Sequence, residues 1–209
     1  MNDIYNLSSG KTNIFWTSDT HFGHTNIIKY CQRPFENVDE MNQKMIENWN
    51  NVVGPDDVVF HLGDVGFGSV RSIVDILQQL NGHKYLILGN HDWSTIKGDK
   101  AGAFRNCFED CSQQMKVRVD GRVIWMNHFP FLTFENMYNG MDAAWQLFGH
   151  VHSGKHQTTG LDINRLQYLY PNQYDVGVDN NNYTPVSYDQ VKSIITEQML
   201  SQNLYRQYN

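Results

Sequence analysis

The first half of the chain alternates short apolar runs with longer stretches that are apolar at helical spacing. The longer stretches predict two helices, one that Asp39 caps and Gly54-Pro55 ends, and one that Ser69 caps and Asn81-Gly82 ends. The short runs predict three strands, which are Ile14–Thr17, Asp57–Leu62 and Lys84–Leu88. Strands that alternate with helices in this way indicate a βαβαβ unit, and hence an α/β fold.

In the second half, the pattern changes to strict alternation of apolar and polar residues. Met115, Val117 and Val119 alternate with polar residues up to Asp120-Gly121, a pair that suits the positive φ angles of a two-residue hairpin turn, and the run 122–126 follows. Residues 142–145 are predicted to be helical, 146–148 and 174–178 to be strands, and Ser187 to open a last helix that reaches residue 200. We therefore expect residues 1–209 to form one α/β domain with mixed sheets.

Composition and charge narrow the possible function classes. The 209 residues include 16 Lys and Arg against 22 Asp and Glu, a formal net charge of −6, which argues against a protein that holds duplex nucleic acid or an anionic membrane by bulk charge. No basic start leads into an apolar signal stretch, and no apolar run approaches the ~20 residues of a membrane span. Cys107 and Cys111 have no second pair and are expected to be ordinary thiols. These features predict a cytoplasmic protein that does not bind membranes.

Metal-competent side chains follow five of the predicted strands. Each of them has an ordinary alternative, because Asp19 or Asp64 can cap a turn and a lone buried histidine is usually a core residue. Sites in open α/β sheets form beyond the carboxyl ends of the strands, so we expect the whole set to meet in one place. The set is Asp19, His21, Asp64, Asn90, His91, His128, His150 and His152.

The chemistry of this set suits divalent ions. Asp, Asn and His offer hard oxygens and borderline nitrogens without a thiolate, which favours Mn, Fe, Zn or Ni. One carboxylate can bridge two such ions about 3.5–4 Å apart, and the pair activates water and neutralises charge on a phosphoryl group. A phosphate ester is therefore the substrate class that uses such a site best.

The same residues form ordered motifs that resemble a known family, the calcineurin-like metallophosphoesterases. The chain matches the five motif blocks of that family, in order, with Ser18-Asp19-Thr20-His21, Gly63-Asp64, Gly89-Asn90-His91-Asp92, His128 and Gly149-His150-Val151-His152. The resemblance spans residues 19–152, and it is to the small prokaryotic and phage-type members more than to protein phosphatases. It implies two β-sheets packed face to face as a sandwich, with helices outside.

The resemblance also implies a reaction and a role for each residue. The reaction is hydrolysis of a phosphomonoester or phosphodiester, of a small molecule or a nucleotide, by a hydroxide that bridges two divalent transition-metal ions. His91 would protonate the leaving oxygen or stabilise the transition state. The first ion would be held by Asp19, His21, Asp64 and His152, and the second by Asp64, Asn90, His128 and His150, with Asp64 bridging the two.

One motif departs from the pattern of the protein serine/threonine phosphatases. In those enzymes a further Asp follows Gly-Asp and partners the catalytic histidine, whereas residues 63–68 contain no Asp after Asp64. Asp92, next to His91 in the sequence, is the alternative partner.

Several residues near the motifs have two open interpretations. His24 either binds a substrate phosphate or anchors its own loop, and Arg33 is either a fork for phosphate or a surface arginine before a rigid turn. His61 is expected in the core or in support of the ligands. The residues around Tyr168, Tyr170 and Tyr174 form either a lid or an exposed loop. Aromatic residues beside the motifs either stack a nucleobase or pack as cavity wall and core, and they are Phe22, Phe67, Trp93, Phe129 and Phe131.

Two other functions use the same residues. One is a nuclease that acts on DNA or RNA ends, which the acidic balance makes the less favoured interpretation. The other is a non-catalytic interaction module with a bound metal. The sequence predicts no oligomeric state.

Overall fold

A computed structural model describes residues 5–153 and 169–207, which form ten strands in two five-stranded sheets. The strands are β1 (Tyr5–Leu7), β2 (Ile14–Thr17), β3 (Val58–His61), β4 (His83–Ile87), β5 (Asp110–Ser112), β6 (Gln114–Val119), β7 (Arg122–Asn127), β8 (Trp145–Phe148), β9 (Gln173–Asp175) and β10 (Val186–Ser187).

Both sheets are mixed. One has the order β10-β2-β3-β4-β5 and is parallel except between β10 and β2. The other has the order β1-β6-β7-β8-β9 and is parallel except between β6 and β7. The β6–β7 hairpin turns at Asp120 and Gly121, with φ angles of 47° and 85°, which confirms the turn predicted from this pair.

Within residues 5–153 and 169–207, five α-helices connect or flank the sheets. Ser69 caps the third helix through its side chain, as predicted, and Asn37 rather than Asp39 caps the second, since the Asn37 side chain accepts from the backbone of Glu40. The helices are α1 (Thr25–Tyr30), α2 (Val38–Val52), α3 (Val70–Leu77), α4 (Asp92–Gly98) and α5 (Tyr188–Gln207). Among the described residues, none of the helices combines the length and the apolar character that crossing a bilayer requires.

The core has two layers, one on each face of the β2–β5 sheet. Ile14 and Trp16 of β2 point between the sheets, where the Trp16 Nε1 atom lies 3.0 Å from the Met126 sulfur of β7. Phe15 points the other way, into a second cluster that the helices α1, α2 and α3 cover. A strand with both faces buried has apolar residues at consecutive positions, which explains the sequence of β2. The sandwich with helices outside confirms the predicted fold class.

Some predicted elements are wrong in kind or extent. Residues 142–145 are not helical, because a short 3₁₀ turn (Gly140–Asp142) ends there and β8 begins at Trp145. The strand predicted over 174–178 covers only Gln173–Asp175, and a 3₁₀ turn at Val178–Asn180 follows.

Candidate active site

The predicted metal-competent residues all lie in loops at the carboxyl ends of strands. Asp19 and His21 follow β2, Asp64 follows β3, and Asn90 and His91 follow β4, three neighbouring parallel strands of one sheet. The other sheet contributes its members from the parallel pair β7 and β8, with His128 after the first strand and His150 and His152 after the second. The structure therefore brings loops from both sheets together at one end of the sandwich.

The side chains of these loops form one cluster, which consists of Asp19, His21, Asp64, Asn90, His91, His128, His150 and His152. The carboxylate of Asp64 lies at its centre. Its Oδ2 atom is 3.5 Å from His128 Nε2, 3.7 Å from His21 Nε2 and 3.9 Å from His91 Nε2. Asp64 is buried, with 1% of its surface exposed. The central carboxylate thus faces nitrogen atoms from three different loops.

A second carboxylate, that of Asp19, lies on one side of the cluster. Its Oδ1 atom is 3.7 Å from His152 Nε2 and 3.9 Å from His21 Nε2. On the other side, the His150 ring lies 5.1 Å from the His128 ring, measured between centroids. His21 faces both carboxylates.

Five residues of the cluster adopt the left-handed backbone region. The φ angles are 57° at Asp19, 50° at His21, 56° at Asp64, 69° at His150 and 47° at His152. Each such residue raises the free energy of the folded backbone by about 1–3 kcal/mol, so surrounding bonds must hold it in place. The Asp19 and His21 amides donate to the carbonyls of Gly63 and Asp64, at 2.9 and 3.0 Å. These bonds fix the loop after β2 against the loop after β3.

Two glycines allow the loops to approach the carboxylates closely. A Cβ atom at Gly89 would fall against the Asp64 carboxylate, and one at Gly149 would fall against the Ser18 hydroxyl and the Asp19 carboxylate. In the same region, the His91 amide donates to Asp64 Oδ1 at 2.9 Å and the His150 amide to Asp19 Oδ2 at 2.8 Å. Glycine precedes Asn90 and His150 in the sequence because no side chain fits at these positions.

Asp92 supports the loops and is not the partner of His91. Its carboxylate accepts hydrogen bonds from the backbone amides of Asp64 and Val65 at 2.9 Å each, and from that of Gly89 at 2.8 Å. The prediction that Asp92 orients His91 is therefore wrong, because the first turn of α4 directs the carboxylate towards β3. Asp92 lies three residues after Gly89, a spacing at which an Asp side chain can accept a hydrogen bond from the glycine amide, so the sequence carries a signal for this contact.

The cluster contains more acceptors than donors. His128 Nδ1 faces the carbonyl of Leu62 at 2.7 Å, so it must donate, and Nε2 then faces Asn90 Oδ1 at 3.0 Å and Asp64 Oδ2 at 3.5 Å. Burial lowers the pKa of His128, but the hydrogen bond to Asp64 and the charge of Asp19 outweigh burial and raise it to about 9. A proton or a metal ion must supply positive charge here.

Several buried oxygen and nitrogen atoms of the cluster that could bind a metal ion have no hydrogen-bond partner among the described residues. Asp19 Oδ1 and both ring nitrogens of His21 are buried and make no hydrogen bond among the described residues. Three overlapping groups have ligand atoms within 4.8 Å of one another, namely Asp19, His21 and His152; Asp19, Asp64 and His128; and Cys31, His152 and Asp179. Unpaired buried oxygens and imidazole nitrogens at such spacing fit divalent metal ions.

Comparison with known proteins agrees with this geometry. The sequence profile of the calcineurin-like phosphoesterases matches residues 12–179, which include all the loops of the cluster. The chain belongs to the calcineurin-like phosphoesterase family. This membership confirms the resemblance seen in the motifs.

Relatives of this phosphoesterase occur in archaea and phages. It is 34% identical over 189 residues to an uncharacterized protein of Methanocaldococcus jannaschii, across 87% of this chain and 90% of the relative. It is 29% identical over 189 residues to the gene 66 protein of Mycobacterium phage L5, across 80% and 87% of the two chains. A solved structure, a protein of unknown function from Aquifex aeolicus, shares the fold with a TM-score of 0.64 and 22% identity, over 88% of this chain and 99% of that one.

His24 lies beside the cluster of this phosphoesterase, in an aromatic layer. Its ring stacks on Phe67 with centroids 4.0 Å apart, and Phe67 also packs 4.8 Å from His91. The His24 Nδ1 atom is buried and has no hydrogen-bond partner among the described residues. Burial, followed by the charges of His91 and Arg33, lowers the pKa of His24, so the ring is neutral above pH 7.

Arg33 is buried beneath the cluster, with 4% of its surface exposed, so the alternative of a surface arginine is wrong. It forms a two-bond ion pair with Asp179 and donates to the carbonyls of Asp19 and Thr20. These contacts engage all three guanidinium nitrogens inside the protein. His61 is buried as well, 2.9 Å from the Thr20 hydroxyl, and burial lowers its pKa to about 3.

The aromatic residues beside the motifs divide by exposure. Phe22 is buried in the helix-covered core, whereas Trp93 and Phe129 are 41% and 43% exposed. Phe129 packs edge-on against His128 and His150, with centroid distances of 4.9 and 4.6 Å. Phe67 and Phe131 are half-buried. In the segment considered as a lid or loop, Tyr174 belongs to β9 and donates to Asn181, and Tyr168 lies outside the described residues.

Proposed function

We propose that this calcineurin-like phosphoesterase is a metal-dependent hydrolase that uses two divalent ions. The observation that carries the proposal is the Asp64 carboxylate, whose Oδ2 atom faces His21 and His128 from two sides at 3.7 and 3.5 Å. A buried carboxylate with a histidine on either side has the arrangement of a bridging ligand.

The side chains around Asp64 divide into two ligand sets. Mn, Fe, Zn and Ni all suit their nitrogen and oxygen donors. The first set is Asp19, His21, Asp64 and His152, and the second is Asp64, Asn90, His128 and His150. The unpaired atoms of Asp19 and His21 support the first set, and the excess of acceptors around His128 supports the second.

Bound divalent ions would lower the pKa of a water and neutralise the charge that develops on a phosphoryl group. The chain itself supplies a proton donor. The side chain of His91 is 46% exposed, and its Nε2 atom lies 3.9 Å from Asp64 Oδ2. The bond from its backbone amide to Asp64 fixes the residue beside the cluster. His91 is therefore in position to protonate the oxygen of the leaving group.

The substrate class that we propose is a phosphorylated small molecule or nucleotide, either a monoester or a diester. The net charge of −6 disfavours a long nucleic acid, which needs a basic surface to neutralise its phosphates. The exposed ring of Phe129 beside His150 offers a surface on which a base or another flat group can pack.

Hydrolysis of two chromogenic esters tests the proposal. The wild-type chain, loaded in turn with Mn²⁺, Ni²⁺ and Zn²⁺, is assayed on bis-p-nitrophenyl phosphate and on p-nitrophenyl phosphate, with metal content measured in parallel. His91→Ala should retain its metal and lose about 10²–10⁴-fold in turnover, the usual contribution of a proton-transfer group. Asp64→Ala should lose both ions.

A surface histidine provides the matched control. His83 lies at the amino end of β4, the opposite end from His91, and pairs only with Glu109 on the surface among the described residues. His83→Ala should leave both turnover and metal content unchanged. Absence of turnover on both esters with every metal would contradict the proposal, and loss of metal in His91→Ala would contradict the role of His91. Tight metal binding without turnover would favour the non-catalytic module.

A further inference from the structure

Arg33 and Asp179 form a buried ion pair directly beneath the cluster. Arg33 Nε donates to Asp179 Oδ1 at 2.8 Å, and Nη2 donates to Oδ2 at 2.9 Å. Neither side chain is more than 5% exposed. Two parallel bonds between a guanidinium and a carboxylate fix their relative orientation as well as their distance.

The same carboxylate also fixes the ring of His152. Asp179 Oδ2 lies 2.8 Å from His152 Nδ1, and a carboxylate paired with arginine can only accept, so Nδ1 carries the proton. In the neutral ring, Nε2 then has the free lone pair, and this atom lies 3.7 Å from Asp19 Oδ1. Asp179 thus selects the tautomer of His152 that can bind a metal ion from the side of Asp19.

The other bonds of Arg33 fix the loop that carries two further ligands. Nη1 donates to the carbonyl of Thr20 at 2.9 Å, and Nη2 donates to the carbonyl of Asp19 at 2.7 Å. This loop has positive φ angles at both Asp19 and His21, so it needs such support. One guanidinium therefore connects the loop after β2 to the histidine after β8.

Asp64, Asn90 and His128 of the second ligand set have supports other than Arg33 and Asp179, and the fourth member, His150, donates its amide to Asp19 Oδ2. His128 Nδ1 is fixed by the carbonyl of Leu62, and the loops after β3 and β4 are fixed by Asp92. Arg33 and Asp179 contact members of the first set, namely Asp19 through its backbone and His152 through its ring.

We propose that Arg33 and Asp179 are positioning residues that set the affinity of one ion site, formed by Asp19, His21, Asp64 and His152, and not that of its neighbour. The inference rests on the proposed two-ion function. It gives Arg33 a role different from the phosphate fork considered from the sequence. The fork geometry of arginine is essential, because Arg33 donates four hydrogen bonds from three nitrogens to Asp179 and two carbonyls, whereas lysine carries the same charge but has three donors on a single nitrogen.

Calorimetric titration of the metal-free chain with Zn²⁺ tests this inference. The wild type should bind two ions. Arg33→Lys and Asp179→Asn should each weaken one of the two binding events by about 10–100-fold, the usual effect of removing a group that orients a ligand, and leave the other unchanged. Glu135→Gln, which removes a surface ion pair with Lys116 at 3.0 Å, is the control and should change neither.

The fold of each metal-free variant is checked by circular dichroism before titration. A folded variant that binds both ions with wild-type affinity would overturn the inference, and so would one in which both sites weaken equally, because a general loss of structure predicts that result. A wild type that binds no metal would instead overturn the proposed two-ion function.

A measurement on the wild type decides the matter if neither variant folds. Long-range ¹H–¹⁵N correlation spectra of the zinc-loaded chain report which nitrogen of each histidine carries a proton. His152 should be protonated at Nδ1, with the shift of Nε2 changed by zinc. Protonation at Nε2 would overturn the inference.

Discussion

Asp64 and Asp19 place two carboxylates within 4 Å of the same imidazole, that of His21. At an effective dielectric constant of about 20, a unit positive charge about 4 Å from a carboxylate gains about 4 kcal/mol, and a dication gains about twice as much. Burial lowers the pKa of His21, and the neighbouring His152 lowers it further, so this ring is neutral and keeps a lone pair for a metal ion. At the residue scale, the site is built to attract divalent ions.

Substitution of Gly149, the residue before His150, tests how tightly the Asp19 carboxylate is packed against the loop after β8. In Gly149→Ala, the added Cβ would lie 2.6 Å from Ser18 Cβ and press against Asp19, so the loop after β2 must shift. We expect a loss of about 1–3 kcal/mol in the free energy of unfolding, together with weaker metal binding. Urea denaturation and metal titration measure the two effects.

Gly10→Ala is the matched control for this substitution. The nearest atom to a Cβ at Gly10 is the Ser8 hydroxyl oxygen, 3.9 Å away, so the change should be close to neutral. Wild-type stability and metal binding in Gly149→Ala would show that the approach of the two loops is not required.

The thiol of Cys111 provides a prediction about pH. Burial, followed by the charge of Asp110, raises the pKa of Cys111 to about 11. A raised pKa disfavours the thiolate, so at pH 8 only ~0.1% of the thiol is ionised. Alkylation by iodoacetamide, followed by mass spectrometry at this residue, should be at least about tenfold slower than in the urea-unfolded chain. It should accelerate as pH rises from 8 to 10, and equal rates in the two states would contradict the burial of this thiol.

The ligand residues could be predicted from the sequence because the ends of the strands could be predicted. Each follows a short apolar run, and the carboxyl ends of parallel strands meet at one edge. Asp179 was missed, and Asp92 was given the wrong partner, since the roles of both depend on contacts with residues 27 to 146 positions away. The strand-end rule, applied also after the strand predicted over 174–178, would have included Asp179.

At the scale of secondary-structure elements, the two periodic helices and the apolar strand β2 were predicted well, and three of the shortest strands were not. β2 has the predicted bounds, and α2 and α3 lie within about three residues of theirs. β1, β5 and β10 have three residues or fewer and were missed. Strands of this length have no periodicity of their own, because pairing with a distant neighbour decides whether they form.

At the start of α2, the observed cap residue is Asn37, whereas the sequence predicted Asp39. Asn37 Oδ1 accepts from the Glu40 amide at 2.9 Å, whereas Asp39 lies inside the first turn. Asn37→Ala should therefore lower the free energy of unfolding by about 1 kcal/mol. Asp39→Ala should cost only about 0.3–0.5 kcal/mol, its interaction with the helix dipole.

Urea denaturation of the two variants measures this difference. Both residues are on the surface at the same helix end, so each serves as the control for the other. A larger loss in Asp39→Ala than in Asn37→Ala would contradict the observed cap.

At the scale of the whole molecule, the sandwich explains how residues from 19 to 152 reach one site. Two sheets packed face to face bring the ends of β2, β3 and β4 opposite those of β7 and β8. The sequence predicted the sheets as mixed, and the family resemblance predicted how they pack. That the full 209 residues form one domain remains a prediction.

We propose that two divalent ions share the carboxylate of Asp64. Anomalous diffraction from crystals of the zinc-loaded chain shows whether they do. Two peaks about 3.5–4 Å apart are expected, one on the side of Asp19 and His152 and one on the side of Asn90 and His150, with Asp64 Oδ2 between them. A single peak away from Asp64, or no peak at a zinc concentration that saturates the chain, would contradict this proposal.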